Sequence, residues 1–169
     1  KAITTVSDNT YVGHGSGAAN TSGDHNTGIG SAAMDELTTG ANNTALGSKA
    51  LSGVVTGSFN TALGFNAMNV STSAQKTVSV GKDSGKSVTT ALENTLIGCE
   101  AGKNITTAPD NVVIGFQAGA HDIDLITGNQ NVIVGNYSDT SATDSANQIV
   151  LGYNVTSAGN SNLTFGNNA

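Results

Sequence analysis

Asn43-Thr-Ala-Leu-Gly47-Ser-Lys-Ala50-Leu51 and, seventeen residues later, Asn60-Thr-Ala-Leu-Gly64-Phe-Asn-Ala67-Met68 are one pattern written twice. Working outward from them, the glycine recurs at Gly13, Gly30, Gly47, Gly64, Gly81, Gly98, Gly115, Gly135, Gly152 and Gly166. The successive spacings are 17 six times, then 20, 17 and 14. A fixed period of this length is the signature of a solenoid, in which each repeat is one coil that buries its apolar face only by stacking on its neighbours.

Each position around the glycine has its own chemistry. Immediately before it stand Val12, Ile29, Leu46, Leu63, Val80, Ile97, Ile114, Val134, Leu151 and Phe165, all large and apolar, and this column is expected to be the core. Two residues earlier lie Thr10, Thr27, Thr44, Thr61, Val78, Thr95, Val112, Val132, Ile149 and Leu163. Nine of these ten are β-branched, which suits a strand, and period 2 puts them on the same face as the first column. Four residues before the glycine come Asn9, Asn26, Asn43, Asn60, Asn94, Asn111, Asn131 and Asn162, with Thr77 and Gln148 completing the series. Amides in register predict a ladder of side-chain hydrogen bonds from coil to coil.

After the glycine, small residues recur (Ala33, Ala50, Ala67, Ala101, Ala118), followed by Met34, Leu51 and Met68 and then by Gly85, Gly102 and Gly119. A coil therefore reads as a strand, a glycine corner, a second short strand and a polar turn such as Thr38–Gly40. The expected fold is an all-β parallel β-solenoid of about ten 17-residue coils filling residues 1–169 as one domain. Residues 1–8 would be a lead-in segment and 153–169 a terminal transition coil, and the chain reads as a piece of a longer fibre. At the spacing of paired strands the stack rises roughly 45 Å.

Composition agrees with a thin core. Of 169 residues only 4% are aromatic and 11% charged, there is no Trp, and 22 residues are Gly. The net charge of −6, with six Lys and no Arg, disfavours nucleic acid as a partner. No apolar run approaches the roughly 20 residues of a membrane span. The single Cys99 forms no intrachain disulfide and reads as a partly buried thiol.

The position between the two apolar columns holds Ala45, Ala62, Leu96, Val113, Ile133 and Val150 among others, and no charge. With the flanking columns assigned inward, this one points outward. An uncharged outward column predicts a subunit interface, for which a closed homo-oligomer is the usual solution.

The two quoted segments resemble the head repeats of trimeric autotransporter adhesins and the related repeats of phage and large-virus tail fibres and spikes. The resemblance covers about Asn9 to Gly166. It implies a left-handed parallel β-roll assembled as a homotrimer in a virion fibre or on an extracellular cell surface. Expected partners are other fibre or virion proteins and a host receptor or glycan. The adhesin coil is shorter than this one, so the viral fibre repeats are the better fit.

No catalytic constellation emerges, and no enzyme activity or cofactor is expected. His14, His25 and His121 lie on different coils without a second ligand at metal-binding spacing. Gly81-Lys-Asp-Ser-Gly-Lys86-Ser87 has the ending of a phosphate loop but the wrong glycine spacing, and it is in phase with the repeat. The long coil between Gly115 and Gly135 carries the insertion Gly119-Ala-His-Asp-Ile-Asp-Leu-Ile-Thr-Gly128, and insertions in solenoids emerge on one face as loops. Asp122 and Asp124 are candidate Ca²⁺ ligands there, against the preferred reading of a bulge with solvated carboxylates. Two alternatives compete with the fibre: a monomeric solenoid that binds ice or glycans, for which the Thr column speaks, and a polysaccharide-degrading spike, which the lack of an acid column disfavours.

Overall fold

A computed structural model describes residues 7–166; most of the expected lead-in segment 1–8 and the last three residues of the transition coil lie outside them. Ten three-residue strands, one per coil, form a single sheet in sequence order. They are β1 (Thr10–Val12), β2 (Thr27–Ile29), β3 (Thr44–Leu46), β4 (Thr61–Leu63), β5 (Val78–Val80), β6 (Thr95–Ile97), β7 (Val112–Ile114), β8 (Val132–Val134), β9 (Ile149–Leu151) and β10 (Leu163–Phe165). All neighbours are parallel and in repeat register, so that Thr44 faces Thr61, Ala45 faces Ala62 and Leu46 faces Leu63. The chain is an all-β parallel β-solenoid of about nine turns, without a helix among the described residues.

A glycine follows every strand, and after β1 to β9 a side chain there would collide with the next coil. At Gly47 φ is +138°, and an added Cβ would sit 2.6 Å from the carbonyl oxygen of Gly64 in the next coil. Coils stack through their backbones at this corner, and a side chain would wedge them apart.

The second strand of each coil does not form. In its place is a run of tight turns in which alternate residues are left-handed, as at Ala32 (φ 55°) and Met34 (φ 54°). The backbone still bonds along the axis. The N–H of Ala32 donates to His14 in the coil before (2.8 Å), and that of Met34 to Ala50 in the coil after (3.1 Å). A left-handed non-glycine residue costs about 1–2 kcal/mol, and here full main-chain pairing and burial of the side chain offset it.

The faces of the strand are the reverse of the expectation. Of the supposed core column, Val12, Ile29, Leu46, Leu63, Ile97, Val134 and Phe165 are exposed, and Val80, Ile114 and Leu151 are only half-buried. Ala45, Ala62, Leu96, Val113, Ile133 and Val150, expected at a subunit interface, are 0% exposed and form the core inside the single chain. The reason is parity. A three-residue strand sends its central side chain one way and its outer two the other, and the Asn column shares the parity of the centre. Opposite the strand, the core is completed by the small column Ala33, Ala50, Ala67, Ala101 and Ala118, by Met34, Leu51 and Met68, and by Leu37, Val54, Val88, Ile105 and Leu125.

The asparagines are inside for a polar reason. The main-chain N–H of Asn60 donates to Asn43 Oδ1 (2.9 Å), and Asn43 Nδ2 donates to the carbonyl of Gly57 (2.9 Å). Each amide thus satisfies two backbone groups where the coil bends. Amide-to-amide bonds join Asn43 to Asn26, Asn60 to Asn43 and Asn131 to Asn111 at 3.0–3.1 Å. Asn9, half-buried, accepts from the N–H of Asn26, and Asn94 accepts from that of Asn111. Asn162 departs from the series in being exposed, although its backbone carbonyl accepts from Ile149 as the others accept from the strand before.

Candidate functional site

Two surface features stand out, and the repeat builds both. The first is the outer face of the sheet. Because the central residue of each strand points inward, the residues flanking it point outward and stack in two columns ten strands long. One is Thr10, Thr27, Thr44, Thr61, Val78, Thr95, Val112, Val132, Ile149 and Leu163; the other runs from Val12 to Phe165. Neither contains a charge. Leu46 is 45% exposed, Ile97 37% and Phe165 66%, in a chain whose fully buried core residues lie one position away. A soluble monomer rarely exposes a continuous apolar patch of this kind, and one that exists marks a contact surface.

The second feature is the insertion between β7 and β8. Its ends are tied by the N–H of Leu125 donating to the carbonyl of Gly119 (3.0 Å). From the next coil, the carboxylate of Asp139 accepts the N–H groups of His121 (3.2 Å), Asp122 (2.9 Å) and Ile123 (3.4 Å). Burial raises the Asp139 carboxyl above its usual range, and the three N–H donors and the nearby His121 pull against it. The loop is therefore pinned from its inner side.

The two candidate Ca²⁺ ligands part company. Asp124 Oδ1 accepts from Asn104 Nδ2 of the coil before (2.7 Å), whereas Asp122 is exposed and lies 3.4 Å from His121 Nδ1. The group whose potential ligand atoms lie within 4.8 Å of one another is His121, Asp122 and Asp139. Both oxygens of Asp139 are already engaged by backbone N–H groups, so its carboxylate is explained by the loop it holds. Sequence reasoning missed Asp139, because nothing in its own coil reveals that it caps the insertion of another.

Three aromatic residues border the loop on successive coils. Phe116 meets Tyr137 edge to face with ring centroids 5.2 Å apart, Tyr137 meets Tyr153 at 5.8 Å, and His121 packs on Tyr137 at 4.7 Å. Phe116 and Tyr153 directly follow corner glycines, where side chains face outward, and that offset was the available signal. Of the other two histidines, His14 and His25 are exposed, His25 beside Asp8 at 3.5 Å.

A charged network crosses the coils just past the corner. Lys82 bonds Asp83, Asn66 Nδ2 donates to Asp83 (3.1 Å), and Glu100 accepts from Gln117 (3.0 Å) and Lys103 (3.3 Å). This is the segment that carries the phosphate-loop-like ending, and in the structure it is an ordinary coil stacked in repeat register. Cys99, half-buried, is a free thiol. No helix among the described residues is long and apolar enough to cross a membrane.

Comparison with known protein families, with curated proteins and with solved structures found no match to this chain.

Proposed function

We propose that this chain is a shaft module of an elongated homotrimeric fibre, a viral tail fibre or spike or a surface adhesin, that carries attachment to a host cell. The observation that supports it is the uncharged apolar face of the ten-stranded sheet. In the proposed assembly three copies turn these faces to a common axis, so that Val12 to Phe165 and their Thr/Val neighbours form the interface. The subunit contact thus uses the opposite face of the strand from the one the alternation first suggested. Closed symmetry lets identical chains bury identical surfaces, and the resemblance to fibre repeats supplies three as the order and a left-handed coil. A structural role also suits a chain whose repeated pattern is spent on stacking, with its buried asparagines tied to backbone groups.

Sedimentation equilibrium tests the assembly: the mass expected is three times the 16.8 kDa of the chain. A stable monomer at micromolar concentration would overturn the proposal.

A second reading draws on a specific observation. Thr10, Thr27, Thr44, Thr61 and Thr95 lie on the outer face in parallel register, the arrangement a flat ice-binding surface requires. Val78 interrupts the Thr column, Val112, Val132, Ile149 and Leu163 replace Thr in the second half, and the adjoining column is apolar throughout, which favours a protein partner. Thermal hysteresis by a monomer would reverse that preference.

A further inference from the structure

We infer that the aromatic row Phe116–Tyr137–Tyr153, with His121 and Asp122, is a binding site for a neutral glycan running along the solenoid axis. The inference gives the attachment reading a site and a ligand class, and it rests on that reading only for its biological role. The chain has seven aromatic residues, 3 Tyr and 4 Phe, and three of them lie in this one row. The row runs beside the single coil lengthened to 20 residues.

The rings are held rigidly and remain in water. Tyr137 is the half-buried centre, fixed by edge-to-face contacts with Phe116, Tyr153 and His121, while Tyr153 is 58% exposed and Phe116 37%. The loop beside them is fixed by the Asp139 carboxylate, so little ordering remains to be done on binding. A sugar ring has an apolar face of C–H groups and a rim of hydroxyls. The exposed apolar surface of Phe116 and Tyr153 matches the former. The Asp122 carboxylate, 73% exposed at its side chain, the His121 imidazole and the phenol groups of Tyr137 and Tyr153 match the latter. Neither phenol bonds to another of the described residues.

Charge selects among glycans. Asp122 and a net charge of −6 repel a sialylated or uronic-acid chain, which leaves a neutral one. A second copy of the protein is the poorer occupant, because a contact here would desolvate the exposed Asp122 carboxylate and bring together two chains of net charge −6.

The test is a glycan array carrying matched neutral and sialylated oligosaccharides, read with the wild type, Tyr153→Ala, Tyr153→Leu, Asp122→Asn and Leu46→Lys. Expected is binding of neutral glycans that falls roughly tenfold in Tyr153→Ala. Tyr153→Leu, which keeps apolar bulk but removes the ring plane and hydroxyl, should fall with it, and Asp122→Asn should weaken binding less. Leu46→Lys, on the sheet face, separates affinity from assembly: dissociated chains should keep the wild-type preference for neutral over sialylated glycans at lower avidity. Binding of sialylated chains alone, no binding at all, or neutral binding untouched by both Tyr153 variants would each overturn the inference. So would a change of oligomeric state in Tyr153→Ala, which would assign the row to a subunit contact. Sedimentation of the wild type decides the fibre assembly separately.

Discussion

Leu96 fills the space that a side chain on Gly85 would need: its Cδ1 lies 2.7 Å from where a Cβ on Gly85 would sit, and its Cδ2 lies 2.9 Å from the same point on Gly102. The pair exposes a trade of volume across the core. Where the strand centre is small, as at Gly28, Ala45 and Ala62, the facing wall carries Met34, Leu51 and Met68. Where the centre is large, as at Tyr11, Leu96 and Val113, the wall carries Gly17, Gly102 and Gly119. The Tyr11 ring likewise stands 2.6 Å from a Cβ on Gly17. Between these residues the sum of the two columns is held nearly constant, and where both are small, at Ser79 and Gly85, Leu96 of the next coil fills the space.

That trade predicts coupling. Gly102→Met should destabilise by about 2 kcal/mol or more, from overpacking and a left-handed backbone (φ +54°). Leu96→Ala should cost about 2–5 kcal/mol as a cavity. The double variant, which recreates the Ala62–Met68 arrangement, should be more stable than the sum of the two losses implies. Urea unfolding at one fixed protein concentration reads this, and strict additivity would refute the packing account.

Thr77 interrupts the asparagine series. Its N–H donates to Asn60 Oδ1 (3.1 Å), yet its hydroxyl donates back to the carbonyl of Gln75 (3.3 Å) instead of reaching the neighbouring coils. Thr77→Asn should restore bonds to the N–H of Asn94 and the carbonyl of Ala91, raising stability by about 1 kcal/mol. The opposite change, Asn60→Ala, should cost about 1–3 kcal/mol by leaving buried backbone groups unpaired. Thermal melting of both variants gives the signs.

Glu100 predicts the acid response. The Gln117 amide, together with Lys103 and Lys82, holds its carboxyl below the usual range against the effect of burial. In Asp83, burial pushes up, but Lys82 and Asn66 outweigh it and the net direction is down. A depressed folded-state value means that the ionised group stabilises the fold above the ordinary carboxylate range, and that this contribution disappears as pH falls through the depressed values. Asp139 acts in the opposite sense, since its raised value relieves a burial penalty on acidification. Glu100→Gln should therefore be less stable than the wild type at neutral pH, with the gap closing in acid. Melting curves across the acid range check it; a gap independent of pH would deny the carboxylate this role.

The sheet face predicts assembly without folding. Leu46→Lys and Ile97→Lys place charges on exposed positions, so each chain keeps its core and its far-ultraviolet circular dichroism. In the proposed trimer the charges meet across the axis, and sedimentation should show dissociation. Loss of the folded signal together with the assembly would mean that the coil needs its partners to fold.

Coil length, strand positions, the glycine corners and the coil carrying the insertion were all legible in the sequence, because Gly47 and its equivalents answer to a local demand, a backbone too close to the next coil for a side chain. The absence of a second strand was not legible, since left-handed Met34 and Leu51 contradict local preference and hold only through inter-coil bonds and burial. Nor did the sequence say which face of the strand was inner: alternation fixes that Ala45 and Leu46 oppose each other, not which one meets the core. Only the closed coil decided that, because Met34, Leu51 and Met68 on its far wall leave room at the strand centre for small side chains and none for a column of leucines. The same closure brought Asp139 to the insertion and aligned the aromatic row, both contacts between coils that no single repeat contains.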